Sequence, residues 1–328
     1  MDKIAWGILS TGRIAGKFAE ALAFVPDAEI VAVGSRSAEA AQAFGEKYHI
    51  PHRHASYAAL ASDPAVDAIY VATPHNFHYE NARLCLENGK AVLCEKPFTL
   101  NAPEAEELIA FSRQKKLFLM EAMWTRYLPA AVKLRQLVDK GAIGEVRMVT
   151  ADLSFRADFD PLSRLFNPEL AGGALLDVGC YVVSFASMLL GKPNQVTGLS
   201  QLGRTGVDEQ SAIMLGYENG GVAQLLTGLR AVSPREATVV GSQGWIRVHA
   251  PFHVPQRMTI QHGLDTQVLD LPYQGNGYNY EAVEVGACLR AGQLESKIMP
   301  LDESLEIMRT LDTLRQQVGL RYPMELHR

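Results

Sequence analysis

The stretch Ile4–Phe18, IAWGILSTGRIAGKF, decides the fold that the sequence predicts. Its first six residues are apolar and strand-like, and the residues after the turn have helical spacing. The turn places Ser10, Gly12 and Ala15 at the three positions of the glycine-rich fingerprint, so the match is imperfect. A strand, a turn and a helix in this order favour main-chain N–H groups that face a pyrophosphate. A purely structural turn is the alternative.

The same alternation of strand and helix continues through residue 122. Apolar runs of strand length recur at Ile4–Leu9, Glu29–Ser35, Ala68–Thr73, Ala91–Glu95 and Leu117–Ala122. Strands that are apolar almost throughout, with helices between them, indicate a parallel sheet covered on both faces. We therefore predict an α/β fold whose N-terminal part is a Rossmann doubly wound sheet.

After Ala122 the pattern changes to short strands joined by turns such as Glu218–Gly221. The strand-like runs are Glu145–Phe155, Gln195–Leu202, Gln210–Tyr217, Val222–Leu229, Ala237–Gly241, Gly244–His249, Met258–His262 and Thr266–Leu271. Short connections join antiparallel strands, so we predict a C-terminal α+β domain with one large, mostly antiparallel sheet. One face of such a sheet needs covering, often by a second subunit, which predicts a homodimer or higher homo-oligomer.

Composition excludes several classes of function. The 328 residues are 48% hydrophobic and 20% charged, and the net charge of −5 has no basic excess for nucleic acid or an acidic membrane. No apolar run approaches a membrane span, and a strand starting at Ile4 leaves no room for a signal peptide, so we expect a cytoplasmic protein. The four cysteines are widely spaced, which predicts reduced core thiols and no metal site.

One of the predicted strands ends in charged residues. Ala91–Thr99, AVLCEKPFT, runs from apolar residues into Glu95, Lys96 and Pro97. A helix start signal follows at Asn101–Glu104, so Lys96 should lie just beyond the carboxyl end of a parallel strand. Open α/β sheets bind their ligands at that edge.

The end of the second strand bears on the choice of cofactor. Enzymes that use NAD usually carry an acidic residue here, whereas an arginine accommodates the 2′-phosphate of NADP. The sequence has Ser35, Arg36 and Ser37, and no acidic residue between Glu29 and Glu39. NADP therefore fits better than NAD, and a solvated loop arginine is the alternative.

A later apolar segment carries unexpected polar groups. Gly172–Gly191, GGALLDVGCYVVSFASMLLG, predicts a buried helix with Asp177 and Tyr181 on one face. A buried carboxylate and phenol need partners, and the glycine pair Gly172 and Gly173 would let the helix start close to a ligand. Polar groups satisfied inside the fold are the alternative.

Four motifs, in order and at characteristic spacing, carry a family resemblance over nearly the whole chain. They are GILSTGRIA, VATPHNFH, CEKPFTLN and GGALLDVGCY. The chain resembles the glucose-fructose oxidoreductase / inositol dehydrogenase / MocA (Gfo/Idh/MocA) family. Within it, the tryptophan–glycine start, MEAMWTRYLP and Tyr181 resemble the branch of dimeric dihydrodiol dehydrogenases, also described as NADP-dependent D-xylose 1-dehydrogenases.

The resemblance implies a nucleotide domain over 1–122 and a substrate-binding and oligomerisation domain over 123–328. It implies a cofactor site formed by Ser10, Thr11, Gly12, Arg13, Ile14, Ser35, Arg36, Ser37, Thr73, Pro74, Asn76, His78, Glu95, Lys96 and Pro97. Trp124, Arg126 and Phe155 are candidate substrate contacts that could equally be packing residues. In many members the lysine–proline peptide bond is cis.

The function we predict is NADP-dependent hydride transfer between the nicotinamide and a carbinol carbon of a sugar or cyclic diol. Tyr181 would be the acid–base group, Lys96 would tune it and bind the substrate oxygen, and Asp177 would orient a neighbouring hydroxyl. Lys96 as the proton-transfer group is an alternative. Other readings are an NAD-dependent inositol or sugar dehydrogenase, a dicarbonyl-sugar reductase and a non-catalytic NADP-binding redox sensor.

Overall fold

The computed structural model describes residues 3–325. The chain forms two compact units. The first unit holds the chain through Tyr127 together with Gln274–Ser304, and the second holds Leu128–Tyr273 and the chain from Leu305 onward. The division at residue 122 that the sequence suggests stays a prediction.

The first unit contains a parallel sheet with strand order β3-β2-β1-β4-β5-β6. Its strands are β1 Ile4–Leu9, β2 Ala28–Gly34, β3 His52–His54, β4 Ala68–Val71, β5 Ala91–Glu95 and β6 Leu119–Ala122. The predicted Rossmann-like α/β sheet is confirmed. Strand β3 was not predicted because its three residues, His-Arg-His, have no apolar pattern.

The second unit contains a sheet with strand order β14-β13-β12-β11-β7-β10-β9-β8. Its strands are β7 Val146–Ser154, β8 Gln195–Leu202, β9 Asp208–Gly216, β10 Val222–Gly228, β11 Ala237–Gly241, β12 Gly244–Val248, β13 Arg257–His262 and β14 Asp265–Asp270. The neighbours are antiparallel except β7 and β10, which are parallel. The predicted large, mostly antiparallel sheet is confirmed.

The α-helices lie between these strands and at the end of the chain. They are α1 Arg13–Leu22, α2 Ala38–Tyr48, α3 Tyr57–Ala61, α4 His78–Glu87, α5 Ala102–Lys115, α6 Pro129–Asp139, α7 Cys180–Leu190, α8 Asn279–Arg290 and α9 Leu301–Gln317. The start of α5 carries the predicted cap: Asn101 Oδ1 accepts from the N–H of Glu104 at 3.1 Å, and Glu104 Oε2 accepts from the N–H of Leu100 at 3.1 Å. These two bonds satisfy main-chain donors that the helix itself leaves unpaired.

Aromatic packing fills the core of the first unit beneath the glycine turn. Trp6 of β1 contacts Phe18 of α1 edge-on, with ring centroids 5.1 Å apart. Phe18 in turn stacks on Tyr70 of β4 at 3.9 Å. All three side chains are fully buried, so the first helix is held against the neighbouring strands β1 and β4.

The segment Pro168–Leu190 corrects one expectation from the sequence. It is long and apolar enough to cross a membrane by length and composition, whereas the sequence analysis found no such run. However, 72% of its most apolar window is buried inside the fold, as in the core helix of a soluble protein. Its helical part packs on β7 and β10, so the apolar residues serve the core of the second unit.

Candidate functional site

The turn after β1 is closed by a serine. Ser10 has the left-handed φ of 104°, which is strained for a residue with a side chain and costs about 1–3 kcal/mol. Its N–H donates to the carbonyl of Gly34 at 2.9 Å, and its Oγ accepts from the N–H of Gly12 at 3.3 Å. The hydroxyl thus offsets part of the cost of placing serine where the fingerprint usually has glycine.

The N-terminus of α1 is open to an anion. Gly12 precedes the helix, and within the described chain no side chain caps it and no acidic residue lies in its first turn. A methyl group on Gly12 would have only Ser10 Oγ, at 3.7 Å, within 4 Å among residues 3–325. Thr11 and Ile14 are half-buried and Arg13 is exposed. N–H donors and the positive helix end therefore fit the pyrophosphate of a dinucleotide.

The end of β2 presents the predicted 2′-phosphate residues. Ser35 is buried, and its N–H donates to the carbonyl of His54 at 3.0 Å, while Arg36 is exposed. Ser37 Oγ accepts from the N–H of Ala40 at 3.2 Å, as an N-cap of α2. The same hydroxyl donates to Glu39 Oε2 at 2.7 Å, and this bond lowers the pKa of Glu39. The carboxylate lies just outside the window that the sequence analysis searched.

His78 links the segments that follow β4 and β5. The buried ring contacts the carbonyl of Pro97 through Nδ1 at 2.8 Å and the carbonyl of Thr73 through Nε2 at 2.9 Å. Burial, followed by repulsion from His75, lowers the pKa of His78 to about 4. The imidazole is therefore neutral near pH 7 and can donate to one carbonyl at a time. Its bonds indicate a supporting role, whereas Pro74 is exposed and Asn76 half-buried.

A buried carboxylate positions Lys96. Glu95 ends β5, is 5% exposed, and accepts from the N–H of Lys96 at 3.1 Å and from the hydroxyl of Tyr70. Burial, and then the charge of Glu95, raise the pKa of Tyr70, so the phenol stays a donor. Lys96 itself is half-buried, and the Lys96–Pro97 peptide bond is cis, as the resemblance suggested.

A second carboxyl group, which the sequence analysis missed, lies behind Glu95. Glu281 on α8 is fully buried, and its two oxygens have no hydrogen-bond partner among residues 3–325. Burial, and then the charge of Glu95, raise its pKa well above the ordinary value. Two carboxyl groups in one buried region favour a single negative charge.

The candidate substrate contacts of the first unit are engaged in packing. Trp124 is buried and stacks on Tyr278, with ring centroids 4.4 Å apart. Arg126 is 3% exposed and donates to Glu303 Oε1 at 2.7 Å and to the carbonyl of Ile298 at 3.3 Å. These contacts favour the packing alternative for both residues.

In the second unit, Asp177 lies in a π-helical turn, Leu175–Gly179, that leads directly into α7. Such turns are rare and concentrate at functional sites. Asp177 is 7% exposed, and its Oδ1 accepts from Arg164 at 2.8 Å. Tyr181 is half-buried rather than buried, with its ring 5.7 Å from that of His253. Phe155, also half-buried, follows the end of β7.

The glycine pair before this turn serves contacts inside the unit, and the expectation that it also lets the helix start close to a ligand stays a prediction. Gly173 has a φ of 125°, and a methyl group there would lie 2.2 Å from Asp208 Oδ1. The carbonyl of Gly172 accepts from the hydroxyl of Tyr322 at 2.7 Å. Both neighbours lie far along the chain, so sequence spacing offered no signal for them.

Asp208 is a positioning residue that the sequence analysis missed. It is fully buried at the start of β9, and its Oδ2 accepts from the N–H of Leu175 at 2.8 Å and from Ser211 Oγ at 3.1 Å. Burial raises the pKa of Asp208 to about 6, although these bonds favour the anion. Its contact with Leu175 fixes the first residue of the turn that carries Asp177.

Within the first unit, the predicted cofactor residues gather at the carboxyl ends of β1, β2, β4 and β5. These strands are neighbours in one parallel sheet, so their ends lie along one edge. Within the second unit, Asp177 and Tyr181 share one helical segment. A nucleotide-binding edge and a polar pair in an apolar segment define the class of an NAD(P)-dependent oxidoreductase.

Comparison with known proteins identifies the family. The model described as "Oxidoreductase family, NAD-binding Rossmann fold" matches residues 4–123, and the "GFO/IDH/MocA C-terminal domain" matches residues 131–247. The chain belongs to the Gfo/Idh/MocA oxidoreductase family.

Curated relatives match nearly the whole chain. Trans-1,2-dihydrobenzene-1,2-diol dehydrogenase of Xenopus laevis is 39% identical over 330 residues, which cover 97% of this chain and 99% of the relative. The enzyme of the same name from Homo sapiens is 35% identical over 332 residues, covering 98% and 99%. The resemblance to the dihydrodiol dehydrogenase branch is confirmed.

Solved structures share the fold over the same length. A 3-ketoreductase from Actinomadura kijaniata, in complex with NADP and TDP-benzene, is 26% identical with a TM-score of 0.86, covering 97% of this chain and 98% of that chain. An aldose–aldose oxidoreductase from Caulobacter crescentus, complexed with glycerol, is 26% identical with a TM-score of 0.87 and the same coverage.

Proposed function

We propose that this protein transfers a hydride between the nicotinamide of NADP and a carbinol carbon of a sugar or cyclic diol. The observation that carries the proposal is the fixed position of Lys96, which a buried carboxylate holds at the ligand-binding edge of a parallel sheet. The names of the relatives support the substrate class, since one is a dehydrogenase of a dihydrobenzenediol, one a 3-ketoreductase and one an aldose–aldose oxidoreductase.

We propose that Tyr181 exchanges the hydroxyl proton of the substrate. In oxidation, the carbinol carbon gives its hydride to the oxidised nicotinamide, the chemistry that the cofactor supplies, and the C–O bond becomes a carbonyl. The proton goes from the substrate oxygen to the Tyr181 phenolate. A free phenol has a pKa near 10, so Lys96 would favour the phenolate with its charge and bond the substrate oxygen.

Asp177 would orient a hydroxyl next to the reacting one. Its carboxylate is nine-tenths buried and accepts from Arg164, so it is held in one direction. A fixed acceptor suits a polyol or diol, because a monoalcohol has no second hydroxyl to donate. This role agrees with relatives that act on sugars and diols.

NADP is favoured by the residues that follow β2. Arg36 is exposed between two serines, and an exposed guanidinium can bind a phosphate with two parallel hydrogen bonds. The structurally similar 3-ketoreductase from Actinomadura kijaniata was solved in complex with NADP. Glu39 keeps NAD as the alternative, since its carboxylate lies beside Ser37 and could accept from a ribose hydroxyl.

A substrate panel tests the function. Purified protein is mixed with NADP and, separately, aldoses, inositols, cyclic diols and matched monoalcohols, and NADPH formation is followed by absorbance. We expect turnover with at least one polyol or diol and a loss of about 10²- to 10⁴-fold in the Lys96→Met variant. Turnover with NAD alone would favour the NAD-dependent sugar or inositol dehydrogenase. Activity only in the reverse direction, the reduction of a substrate, would favour a dicarbonyl-sugar reductase.

A non-catalytic NADP-binding redox sensor is the remaining alternative. It would bind NADP without oxidising or reducing any member of the panel. The presence of both Lys96 and Tyr181 argues against it, because a sensor has no need for these two side chains to face the nicotinamide. Tight NADP binding with no turnover in either direction would support the sensor.

We also propose self-association through the sheet of the second unit. Its exposed face carries large apolar side chains on adjacent strands, namely Met148, Leu199, Met214, Val222 and Leu226. Contiguous exposed apolar residues mark interaction surfaces. Analytical ultracentrifugation of the wild type and Leu226→Lys tests this: we expect an oligomer in the first and a smaller species in the second.

The cytoplasmic location and the absence of a nucleic-acid or membrane partner stay predictions from the sequence.

A further inference from the structure

The edge strand β3 and the loop after α3 bring together two histidines and an aspartate. His52 and His54 are two residues apart on a strand, so they point to the same face, whereas Arg53 points away and donates from Nε to the carbonyl of Ile50 at 3.0 Å. His52 Nδ1 lies 2.6 Å and His54 Nε2 lies 2.8 Å from Asp63 Oδ2. The donor atoms all lie within 4.8 Å of one another.

The carboxylate of Asp63 is held in place. It is 6% exposed, and its Oδ1 accepts from the N–H of Ala65 at 2.9 Å, which leaves Oδ2 facing the two imidazoles. The nearby Lys90 binds the main-chain carbonyls of Asp63 and Val66, at 2.6 and 2.7 Å, rather than the carboxylate.

We propose that His52, His54 and Asp63 bind one divalent transition-metal ion of the zinc class. Two imidazole nitrogens and one carboxylate oxygen are a common donor set for zinc, with water as a fourth ligand. Around a tetrahedral ion with bonds of about 2.0–2.1 Å, the donor atoms are about 3.3 Å apart. The two imidazoles would withdraw from Asp63 by about 0.5–0.7 Å to admit it.

The site is accessible and lies near the end of β2. The side chain of His52 is 46% exposed, so it can move and an ion can enter from solvent. The carbonyl of His54 accepts from the N–H of Ser35, which belongs to the predicted cofactor site. The donors themselves lie outside the residues assigned to hydride transfer, so the metal would act on structure rather than on the reaction. The sequence analysis missed the cluster because helix α3 separates Asp63 from the histidines.

Zinc titration of the full chain tests the site. Tag-free protein, first treated with a chelator, competes with a chromogenic zinc chelator at pH 7.5. We expect one equivalent bound by the wild type and affinity weakened at least about 10- to 100-fold in His52→Gln and in His54→Gln. His262→Gln, an exposed strand histidine in the second unit, should keep wild-type affinity.

The folding of each variant is checked by circular dichroism, and His52 is exposed enough that its variant should melt like the wild type. As a second readout, Co²⁺ absorption should show a tetrahedral spectrum in the wild type that both variants lose. Wild-type affinity in His52→Gln and His54→Gln, or no binding of Zn²⁺ or Co²⁺ by the wild type, would overturn the proposal.

Discussion

The same kind of hydrogen bond positions the Lys96 region of the first unit and the Asp177–Tyr181 segment of the second. In each, a buried carboxylate accepts from a main-chain N–H: Glu95 from Lys96 at 3.1 Å, and Asp208 from Leu175 at 2.8 Å. Glu95 is the neighbour of the residue it holds, whereas Asp208 lies 33 residues beyond its partner. Local sequence therefore builds the first region, and tertiary packing builds the second.

The strongest way to break the second region is Gly173→Ala. The new methyl group would meet Asp208 Oδ1 at 2.2 Å, and the φ of 125° is strained for alanine. We expect a loss of about 3–5 kcal/mol in the free energy of unfolding, measured by urea denaturation. Gly191→Ala is the control for backbone strain alone, because Gly191 has a φ of 77° but no neighbour within 4 Å in the described chain, and should cost about 1–3 kcal/mol. Equal losses would contradict the close approach of Asp208.

In the first region, the ionisation of a buried carboxyl group should make the free energy of unfolding depend on pH. Glu121 on β6 is 1% exposed, and burial raises its pKa from 4.5 to about 7, with Arg126 opposing the shift and Glu303 adding to it. Because the folded pKa is the higher, its stabilising contribution is complete below pH 4.5 and is lost as the pH rises through 7. The loss is of order 3 kcal/mol.

The matched variant is Glu121→Gln, which cannot ionise. Its free energy of unfolding relative to wild type should increase by about 2–3 kcal/mol between pH 5 and pH 8.5, measured by urea denaturation at each pH. The exposed Glu218→Gln should show no such change. A difference between wild type and Glu121→Gln that does not vary with pH would mean that the carboxyl group is ionised throughout.

The affinities for NADP and NAD test the carboxyl edge of the parallel sheet, on which both Arg36 and Lys96 lie. Removing a charged hydrogen bond to phosphate costs about 1.5–3 kcal/mol, so Arg36→Ala should bind NADP about 10- to 100-fold more weakly. The affinity for NAD should stay within about twofold, since NAD lacks the 2′-phosphate. Isothermal titration with both cofactors measures the two constants. An equal loss for NADP and NAD would indicate a general effect on the loop.

The smallest effect should come from the rim of the second region. Arg164, with 51% of its side chain exposed, pairs with Asp177, and ion pairs of this kind contribute under about 1 kcal/mol to stability. In Arg164→Gln the melting temperature should therefore change little. If the pair orients Asp177 toward substrate, KM should rise severalfold while kcat stays near wild type. An unchanged KM would mean that the Arg164–Asp177 ion pair does not orient Asp177 toward the substrate.

Much of the first region could be predicted because its signals are local. The limits of β1 and β5 follow from uninterrupted apolar runs, and Lys96 stood out as a charge at a strand end. Strand β3 and the contribution of Glu281 could not, since a short polar edge strand lacks periodicity and α8 is distant in sequence.

In the second region, sequence identified Asp177 and Tyr181 as unusual polar residues in an apolar segment. It could not supply their surroundings. The π-helical turn, Asp208 beneath it and the contact that requires Gly173 all depend on pairing between distant strands and loops. The predicted burial of Tyr181 was wrong because the residue lies on a partly exposed side of the segment.

We propose that Lys96 and Tyr181 act in one proton-coupled hydride transfer. A double-mutant cycle in single-turnover absorbance measurements of NADPH formation, with Lys96→Met, Tyr181→Phe and both together, tests it most directly. We predict a loss of about 10²- to 10⁴-fold for each single variant, little further loss for the double, and unchanged NADP affinity in Tyr181→Phe. Tyr217→Phe, which removes a hydroxyl without a partner among residues 3–325, is the control. Near-wild-type turnover in Tyr181→Phe, or losses that multiply in the double variant, would contradict the claim.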